Sequence, residues 1–458
     1  MMISYRLKQL ILVLVDLALL YLSLWLSLTF RYWQLPKTQF WHTNATSFLL
    51  IFLLWLIVLY LANLYNLRLL KSRWQFFINL LKGLATNFIL AILIFYFAAN
   101  NFTPKRVLFL TLLIFAVLLI LWRFIFNRFF KAPLAWNNLL IIGDTQEARE
   151  LINRKDVLAL FGFNLRALMG RKEADPNQLF IITDYNTKHA TNNIEQLVEE
   201  ENINTIVIGN LHQCPSLVSR LYRLLPRGVR FFDLPDFYEQ IFREIPISVS
   251  SEIWFLQNFD SSRKAFYDGL KRIIDFIGAV VLGIVLSPFF LLTTIGIIIF
   301  SPGPIFYRQK RVGQDDREFV LIKFRTMVVD AEQKGATWST KNDSRVTTFG
   351  RFLRATHFDE IPQLWNILRG DMSLVGPRPE RPEFVVDLKQ QIQHYQLRHL
   401  VRPGITGWAQ MNYPYGSSVE DAVKKLHYDL YYIKHRSFIL DIIIILKTLG
   451  YFFHKPTK

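Results

Sequence analysis

Asp359 and Glu360 stand side by side in the run HFDEIPQLWN, residues 357–366, just ahead of an apolar stretch that holds Pro362. Ile361, Leu364, Trp365 and Leu368 recur at helical spacing, and proline is tolerated only in a helix's first turn, so the pattern predicts a helix starting near Asp359. Adjacent residues on a helix point about 100° apart. The two carboxylates therefore cannot form a face-to-face acid dyad and need different jobs. A carboxylate at a helix N-terminus is held ionised by the dipole and the free amides, which is the state that attack on phosphorus requires. Aspartate is also among the commonest plain helix caps. Spacing alone leaves both readings open.

The surrounding sequence adds cations. FYRQKRVG (306–313), LIKFRTM (321–327), NDSRVTTFGRFLRATHFDE (342–360), GDMSLVGPRPERPE (370–383) and VRPGITGWAQ (401–410) follow one another, and Arg345, Arg351, Arg354, Arg378, Arg381 and Arg402 recur in loops framed by glycine and proline. Guanidinium forks fixed in rigid turns suit phosphate oxygens, where charge-assisted bidentate bonds give both energy and orientation. No aromatic-studded basic strand or recognition helix accompanies them, so no nucleic acid is expected as a partner. There are nine histidines but no H-E-x-x-H or comparable pair, which disfavours zinc.

These residues must be positioned by the rest of a 458-residue chain, long enough for two or three domains. Hydrophobic residues make up 52% of it, a membrane-like share, and the formal charge of +17 suits a membrane surface, a nucleic acid or a phosphorylated substrate. The single cysteine, Cys214, excludes an intrachain disulfide and a thiolate metal cluster. Four apolar segments near 8–30, 47–65, 82–99 and 105–122 approach the roughly 20 residues a helix needs to cross a bilayer. The first lacks a small-residue cleavage site and reads as an anchor. Basic residues at Arg6, Lys8, Arg68, Lys71, Arg73, Lys82, Arg123, Arg128 and Lys131 place both ends of this bundle inside, although the outer loops also hold Arg31, Lys37, Lys105 and Arg106.

After Pro133 short apolar strands alternate with polar helical stretches: NNLLIIG (137–143), LFIIT (179–183), NTIVIG (204–209) and GVRFFDL (228–234). That alternation predicts a parallel α/β domain. Its first turn, GDTQEA from Gly143 to Ala148, puts Thr145 where a dinucleotide fingerprint needs its second glycine, so a Rossmann-like domain without a dinucleotide is expected. A fifth apolar stretch, 276–300, has Ser287 and Pro288 at its centre, where proline predicts a sharp break. Arg263, Lys264, Lys271 and Arg272 precede it; Arg308, Lys310, Arg311 and Arg317 follow it. Two basic flanks both favour the cytoplasmic side, which a helix that enters one leaflet and returns can satisfy and a spanning helix cannot; the alternative is an ordinary kinked transmembrane helix, in which proline is tolerated. The last apolar run is interrupted by Asp441 and flanked by lysines, predicting an interfacial amphipathic helix.

Taken with these motifs in order, the run from about Arg263 to His454 resembles the bacterial sugar transferases, polyprenyl-phosphate phosphoglycosyl transferases. The four-helix and Rossmann-like region ahead of it looks like the long form of that family, and the tail VRPGITGWAQMNYPYGSSVEDAVKKLHYDLYYIK most resembles members serving exopolysaccharide clusters. The resemblance implies transfer of a hexose-1-phosphate from a UDP-sugar to undecaprenyl phosphate, with Asp359 as nucleophile, UMP as leaving group, and an aspartyl-phosphosugar intermediate. It implies Mg2+ beside Asp359, with Glu360 helping to hold the metal or the acceptor phosphate. Lys323, Arg354, Arg378 and Arg402 match family positions near the phosphates and nucleotide, and Ser287-Pro288 matches the family's membrane-helix breaker. The implied architecture is an integral membrane α-helical bundle (1–131), a cytoplasmic α/β Rossmann-like domain (132–250) and a mostly α, monotopic catalytic domain (251–458) with a re-entrant helix over about 271–300. The setting would be the bacterial cytoplasmic (inner) membrane and its lipid, with the product passed to downstream glycosyltransferases for exopolysaccharide, capsule or O-antigen. The hexose and the oligomeric state stay open, a homodimer through the middle domain being one option.

Overall fold

The computed structural model describes residues 2–65, 73–97, 105–129, 137–143, 145–172, 175–183, 187–189, 194–209, 220–248, 250, 252–259, 264–329, 331, 343–413, 416 and 418–453. Arg68, Lys71, Lys131, Cys214 and Arg263, and the boundary drawn at 131–132, lie outside the described residues. The chain forms two compact units, Met1–Ile241 with Leu449–Lys458, and Phe242–Thr448.

In the first unit each apolar segment lies within or largely overlaps a helix: α1 (Met2–Tyr32), α2 (Thr38–Leu61), α3 (Arg73–Phe97) and α4 (Lys105–Phe129). α2 starts well ahead of its apolar run because its polar first turns bond their own backbone: Thr43 to Gln39 O, Asn44 to Phe40 O, Thr46 to His42 O and Ser47 to Thr43 O, all at 2.8–3.0 Å. Such i−4 side-chain bonds let a Thr- and Asn-rich stretch stay helical. Leu12, Leu20 and Leu24 of α1 pack with Phe48, Trp55 and Phe115 in one apolar core. Inside that core, Arg123 of α4 clasps Asp16 of α1 with two bonds of 2.9 and 2.6 Å, and Ser27 meets Thr111 at 2.7 Å. Leu7–Tyr32, Thr38–Leu61 and Val107–Phe126 are long and apolar enough to cross a membrane, and α3 is an apolar helix of 25 residues.

The same unit holds a six-stranded sheet in the order β4-β3-β2-β1-β5-β6, made of β1 (Asn137–Ile142), β2 (Phe163–Lys172), β3 (Asp175–Thr183), β4 (Thr187–His189), β5 (Thr205–Ile208) and β6 (Arg230–Asp233). β2, β1, β5 and β6 are parallel, as the alternation suggests. β3 corrects that expectation: LFIIT runs antiparallel to β2, and β4 antiparallel to β3. Only residues 173–174 join β2 to β3, far short of the dozen or so that a parallel crossover needs. Gly143 closes β1 at φ +114°, close against Gly209 at the end of β5.

The second unit is organised around the helix Ala265–Phe300, also long and apolar enough to cross a membrane. The break expected at Ser287-Pro288 does not interrupt it. Pro288 cannot donate to the carbonyl four residues back, and the Ser287 hydroxyl takes that carbonyl, Ile284 O, at 2.7 Å. One face of this helix packs on the polar part of the unit along its length: Arg272 bonds Leu368 O at 2.7 Å, Asp275 accepts from Leu374 N at 3.2 Å, and Phe290 meets Phe324 at 5.0 Å. Phe300 lies 5.6 Å from Phe349 at the far end. The opposite face, with Ile284, Val285, Leu291 and Leu292, is exposed and apolar.

The terminal helix Phe438–Phe453 carries its polarity inward. Asp441 is buried and accepts hydrogen bonds from Tyr267, Lys271 and Tyr432 at 2.6–2.9 Å, while Ile439, Ile442 and Leu449 face outward.

Candidate active site

Three segments build the site. The first is the antiparallel hairpin of β7 (Phe306–Val312) and β8 (Glu318–Phe324), which carries Lys323 opposite Tyr307. The second is HFDEIPQLWN. His357 ends the helix Thr348–Thr356 in the left-handed region at φ 57°, and the chain turns there into a 3-10 helix, Phe358–Gln363, followed by the α-helix Leu364–Arg369. The helix does start next to Asp359, but with tighter 3-10 geometry. His357, not Asp359, occupies the capping position, and no side chain caps it. The third segment is the turn Gly376–Glu380 that follows β9 (Ser373–Val375).

Asn366 fixes the second segment to the first. Fully buried, it donates to Val320 O at 2.7 Å and accepts from Ile322 N at 3.1 Å, so its amide pairs with the edge of β8 as a neighbouring strand would. The carboxylates are thereby registered against Lys323. The third segment is held by backbone contact. β9 pairs with β10 (Gly404–Thr406), Gly404 N donates to Pro377 O at 2.9 Å, and a Cβ on Gly376, Gly404 or Gly407 would overlap the backbone facing it. That close approach explains the glycines of both GPRP and RPGITG. Arg402 stands on the loop just before β10, its carbonyl against Gly376.

The adjacent carboxylates are treated differently. Arg378 donates to Glu360 Oε1 at 2.8 Å. Burial alone would raise the Glu360 carboxyl, but the charge and hydrogen bond of Arg378 outweigh it and hold the group below its usual range. Asp359 is buried and accepts no hydrogen bond among the described residues. Burial first, and then the charge of Glu360, push it up to about 6, against the pull of Lys323 and Arg378. The ionisation expected from a helix dipole is thus opposed by desolvation, although Asp359 is still mostly charged at neutral pH. Burial, then Arg311, lower the Lys323 ammonium to about 8, and it lies 5.3 Å from the Tyr307 ring centre.

Of the residues singled out in the sequence, Asp359, Glu360, Lys323 and Arg378 come together. Arg354 sits in the last turn of its helix and bonds Thr326 Oγ1 at 2.9 Å. Arg345 spends its fork on Asp343 at 2.5 and 2.8 Å. Ser287 and Pro288 are placed in the apolar helix, next to Phe289, which meets Phe358 at 5.2 Å. Sequence reasoning passed over Arg311 as a site residue, though the alternation in FYRQKRV puts Tyr307, Gln309 and Arg311 on one face of β7. Arg311 donates to Pro379 O at 3.0 Å and to Gln309 Oε1 at 2.6 Å, which braces the third segment. Asn366 gave no signal, since its partners lie 44 and 46 residues away.

Comparison with known proteins adds the family. Residues 266–455 match the family described as bacterial sugar transferase. Over 183 residues the chain is 44% identical to the UDP-N-acetylgalactosamine-undecaprenyl-phosphate N-acetylgalactosaminephosphotransferase of Aeromonas hydrophila, covering 40% of this chain and 43% of that protein. Over 195 residues it is 44% identical to the UDP-glucose:undecaprenyl-phosphate glucose-1-phosphate transferase of Xanthomonas campestris pv. campestris, covering 42% and 39%. The chain thus spans about two fifths of the length of these two relatives. It covers 68% of the enzyme of the latter name from Caulobacter vibrioides, at 39% identity over 181 residues and 39% of this chain. The likeness reaches over most of that shorter relative and takes in every segment of the site, and the chain belongs to the bacterial sugar transferase family.

Proposed function

We propose that the chain transfers a hexose-1-phosphate from a UDP-sugar to undecaprenyl phosphate through a phosphosugar carried on Asp359. The observation that carries this reading is the split between two neighbouring carboxylates. Glu360 is pinned by Arg378, whereas Asp359 is desolvated, accepts no hydrogen bond among the described residues, and is mostly ionised at neutral pH. A carboxylate with no hydrogen bond to give up is a stronger nucleophile than a solvated one. A carboxylate oxygen of Asp359 would attack the β-phosphorus, the bond from that phosphorus to the bridging oxygen would break, and its electron pair would leave with UMP. An oxygen of undecaprenyl phosphate would then attack the same phosphorus and return the Asp359 carboxylate. Lys323 and Arg378 are placed to offset the charge of the diphosphate.

The donor set fits magnesium. Among the described residues no group of three or more His, Cys, Asp or Glu could form a metal cage. Magnesium is usually held by one or two carboxylates plus substrate phosphates, and Asp359 and the outer oxygen of Glu360 would supply those. Bound there, the ion would neutralise diphosphate charge and favour UMP departure.

We place the protein in the bacterial cytoplasmic membrane with the catalytic unit on the cytoplasmic side, and read Ala265–Phe300 as re-entrant, bending at Pro288 within a continuous helical run. In support, its packed face extends from Arg272 to Phe300, about 42 Å at about 1.5 Å per residue. That exceeds the roughly 30 Å of a hydrocarbon core, so a domain confined to one side could not follow a spanning helix that far. The division into 1–131, 132–250 and 251–458 is retained on the same footing. We read the sheet domain as Rossmann-like, since its parallel strands reverse direction of travel at β1/β5. Thr145 Oγ1 there accepts from Ala148 N at 3.2 Å, consuming an amide that a pyrophosphate would use. A role in packing, regulation or homodimer assembly suits it better than dinucleotide binding. The product would start an exopolysaccharide, capsule or O-antigen chain for downstream glycosyltransferases.

The test is product identity. Incubated with UDP-hexose and polyprenyl phosphate, the protein is expected to release UMP and form a polyprenyl diphosphate sugar; release of UDP would mean ordinary glycosyl transfer and would overturn the mechanism. A panel of UDP-sugars then identifies the hexose. Accessibility of cysteines placed either side of Ser287-Pro288 tests the membrane reading, which fails if one side labels from the periplasm.

A further inference from the structure

Behind the catalytic pair lies a second buried charge cluster that the transfer chemistry does not use. Arg398, in the 3-10 helix Tyr395–Leu400, is 6% exposed and pairs at 3.0 Å with Asp429, which is 2% exposed on the helix Val419–His435. The same guanidinium donates to the Tyr395 hydroxyl at 2.5 Å and to the backbone carbonyl of Arg378 at 2.8 Å. Arg378 in turn donates its side chain to Glu360. Four segments are therefore joined in one line: Asp429, Arg398, the Arg378 backbone, and the Glu360 carboxylate.

We propose that Arg398, held by Asp429, is a positioning residue for the reaction, fixing the Gly376–Glu380 turn so that Arg378 reaches Glu360. A buried guanidinium is costly to desolvate, and here Nη1 meets the Tyr395 hydroxyl while Nη2 meets both Asp429 and the Arg378 carbonyl, a fixed spread of three partners that a lysine's single ammonium does not reproduce. The turn is otherwise tied at its ends and through Pro377 and Pro379: Gly376 N on Thr406 O, Gly404 N on Pro377 O and Val312 N on Glu380 O, each at 2.9 Å, Arg311 on Pro379 O, and Arg311 on Glu380 at 3.7 Å. Two of its five residues are proline and cannot donate. Removing Arg398 removes the 2.8 Å bond it makes to the Arg378 carbonyl, and displacement of about 1 Å at a catalytic group can cost about a hundredfold in rate. The helix Val419–His435 would in this way bear on a carboxylate pair in a distant part of the sequence.

This inference rests on the phosphosugar-transfer reading, and a double-mutant cycle with an independent structural readout separates the two. Arg398→Met is expected to lower kcat for UMP release about a hundredfold with little change in KM for the UDP-sugar, and Arg398→Lys to recover only part of it. In an Arg378→Met background, Arg398→Met should cost less than about threefold further, because its effect runs through Arg378. Amide exchange is expected to accelerate at Gly404 and Val312 while Lys323 and its neighbours in β8 stay protected. Multiplying effects in the cycle, a near-normal rate in Arg398→Met, or unchanged exchange at both amides would each overturn the proposal. If the wild type releases no UMP, the functional reading fails and the exchange result alone decides whether Arg398 holds the turn.

Discussion

Two arginine–carboxylate pairs, one in each unit, look alike in the sequence and differ in what they leave unused. Asp16 and Arg123 are both sealed, at 0% and 2% exposure, and bind each other twice. Arg378 donates to Glu360 Oε1 at 43% and 15% exposure, beside an Asp359 that accepts no hydrogen bond among the described residues. A sealed pair that spends both Nη atoms and both carboxylate oxygens on each other holds helices together; a pair open to solvent can meet a charged substrate. In a membrane-embedded bundle the first kind is expected, since an unpaired charge there is costly. The difference lies in exposure and not in residue type.

The comparison can be broken most severely at Asp359. Asp359→Asn removes the nucleophile with little change in volume, and UMP release should fall at least about 10³-fold; appreciable residual turnover would return this residue to a structural role. Next comes the sealed pair. Arg123→Met strands Asp16 and should destabilise the bundle by about 3–5 kcal/mol, read as a lower unfolding midpoint in membranes, with UMP release per folded molecule retained. Replacing both partners by leucine should recover most of that stability. If Arg123→Met instead lowers turnover at full stability, the distinction between the pairs collapses.

The sequence made half of this visible. The apolar runs announced the helices because a bilayer imposes length and composition locally. The carboxylates and their cations stood out because spacing in HFDEIPQLWN and the glycine-framed loops is local too. β2 escaped notice since Arg166 and Arg171 interrupt its apolar pattern, and the antiparallel turn into β3 depends on a two-residue link more than on strand composition. Asn366 and Arg398 were illegible for a different reason. Each acts through partners dozens of residues away, and no periodicity marks a side chain whose role is to meet a distant backbone.

A smaller effect sharpens the site's half of the comparison. Asp359 must be ionised to attack, and its carboxyl is raised to about 6, so kcat should fall about tenfold per pH unit below that value. Glu360→Gln removes a neighbouring negative charge and should move this limb to lower pH, whatever it does to the plateau; a limb that stays in place would mean the two carboxylates do not interact. The smallest change is expected at Arg345. Its fork is committed to Asp343, as Arg123's is to Asp16, so Arg345→Met should cost about tenfold at most, one ordinary hydrogen bond's worth. A loss as deep as that of Arg378→Met would place Arg345 among the substrate's contacts.

The contact of Gly376 with Gly404 has a mechanical consequence. Backbone lies directly on backbone there, with no side chain to act as a cushion, so the loops bearing Arg378 and Arg402 move as one piece although 24 residues separate them. A single methyl group added at Gly404 would push on both arginines at once, which makes that glycine a more damaging place for a chance substitution than either arginine taken singly.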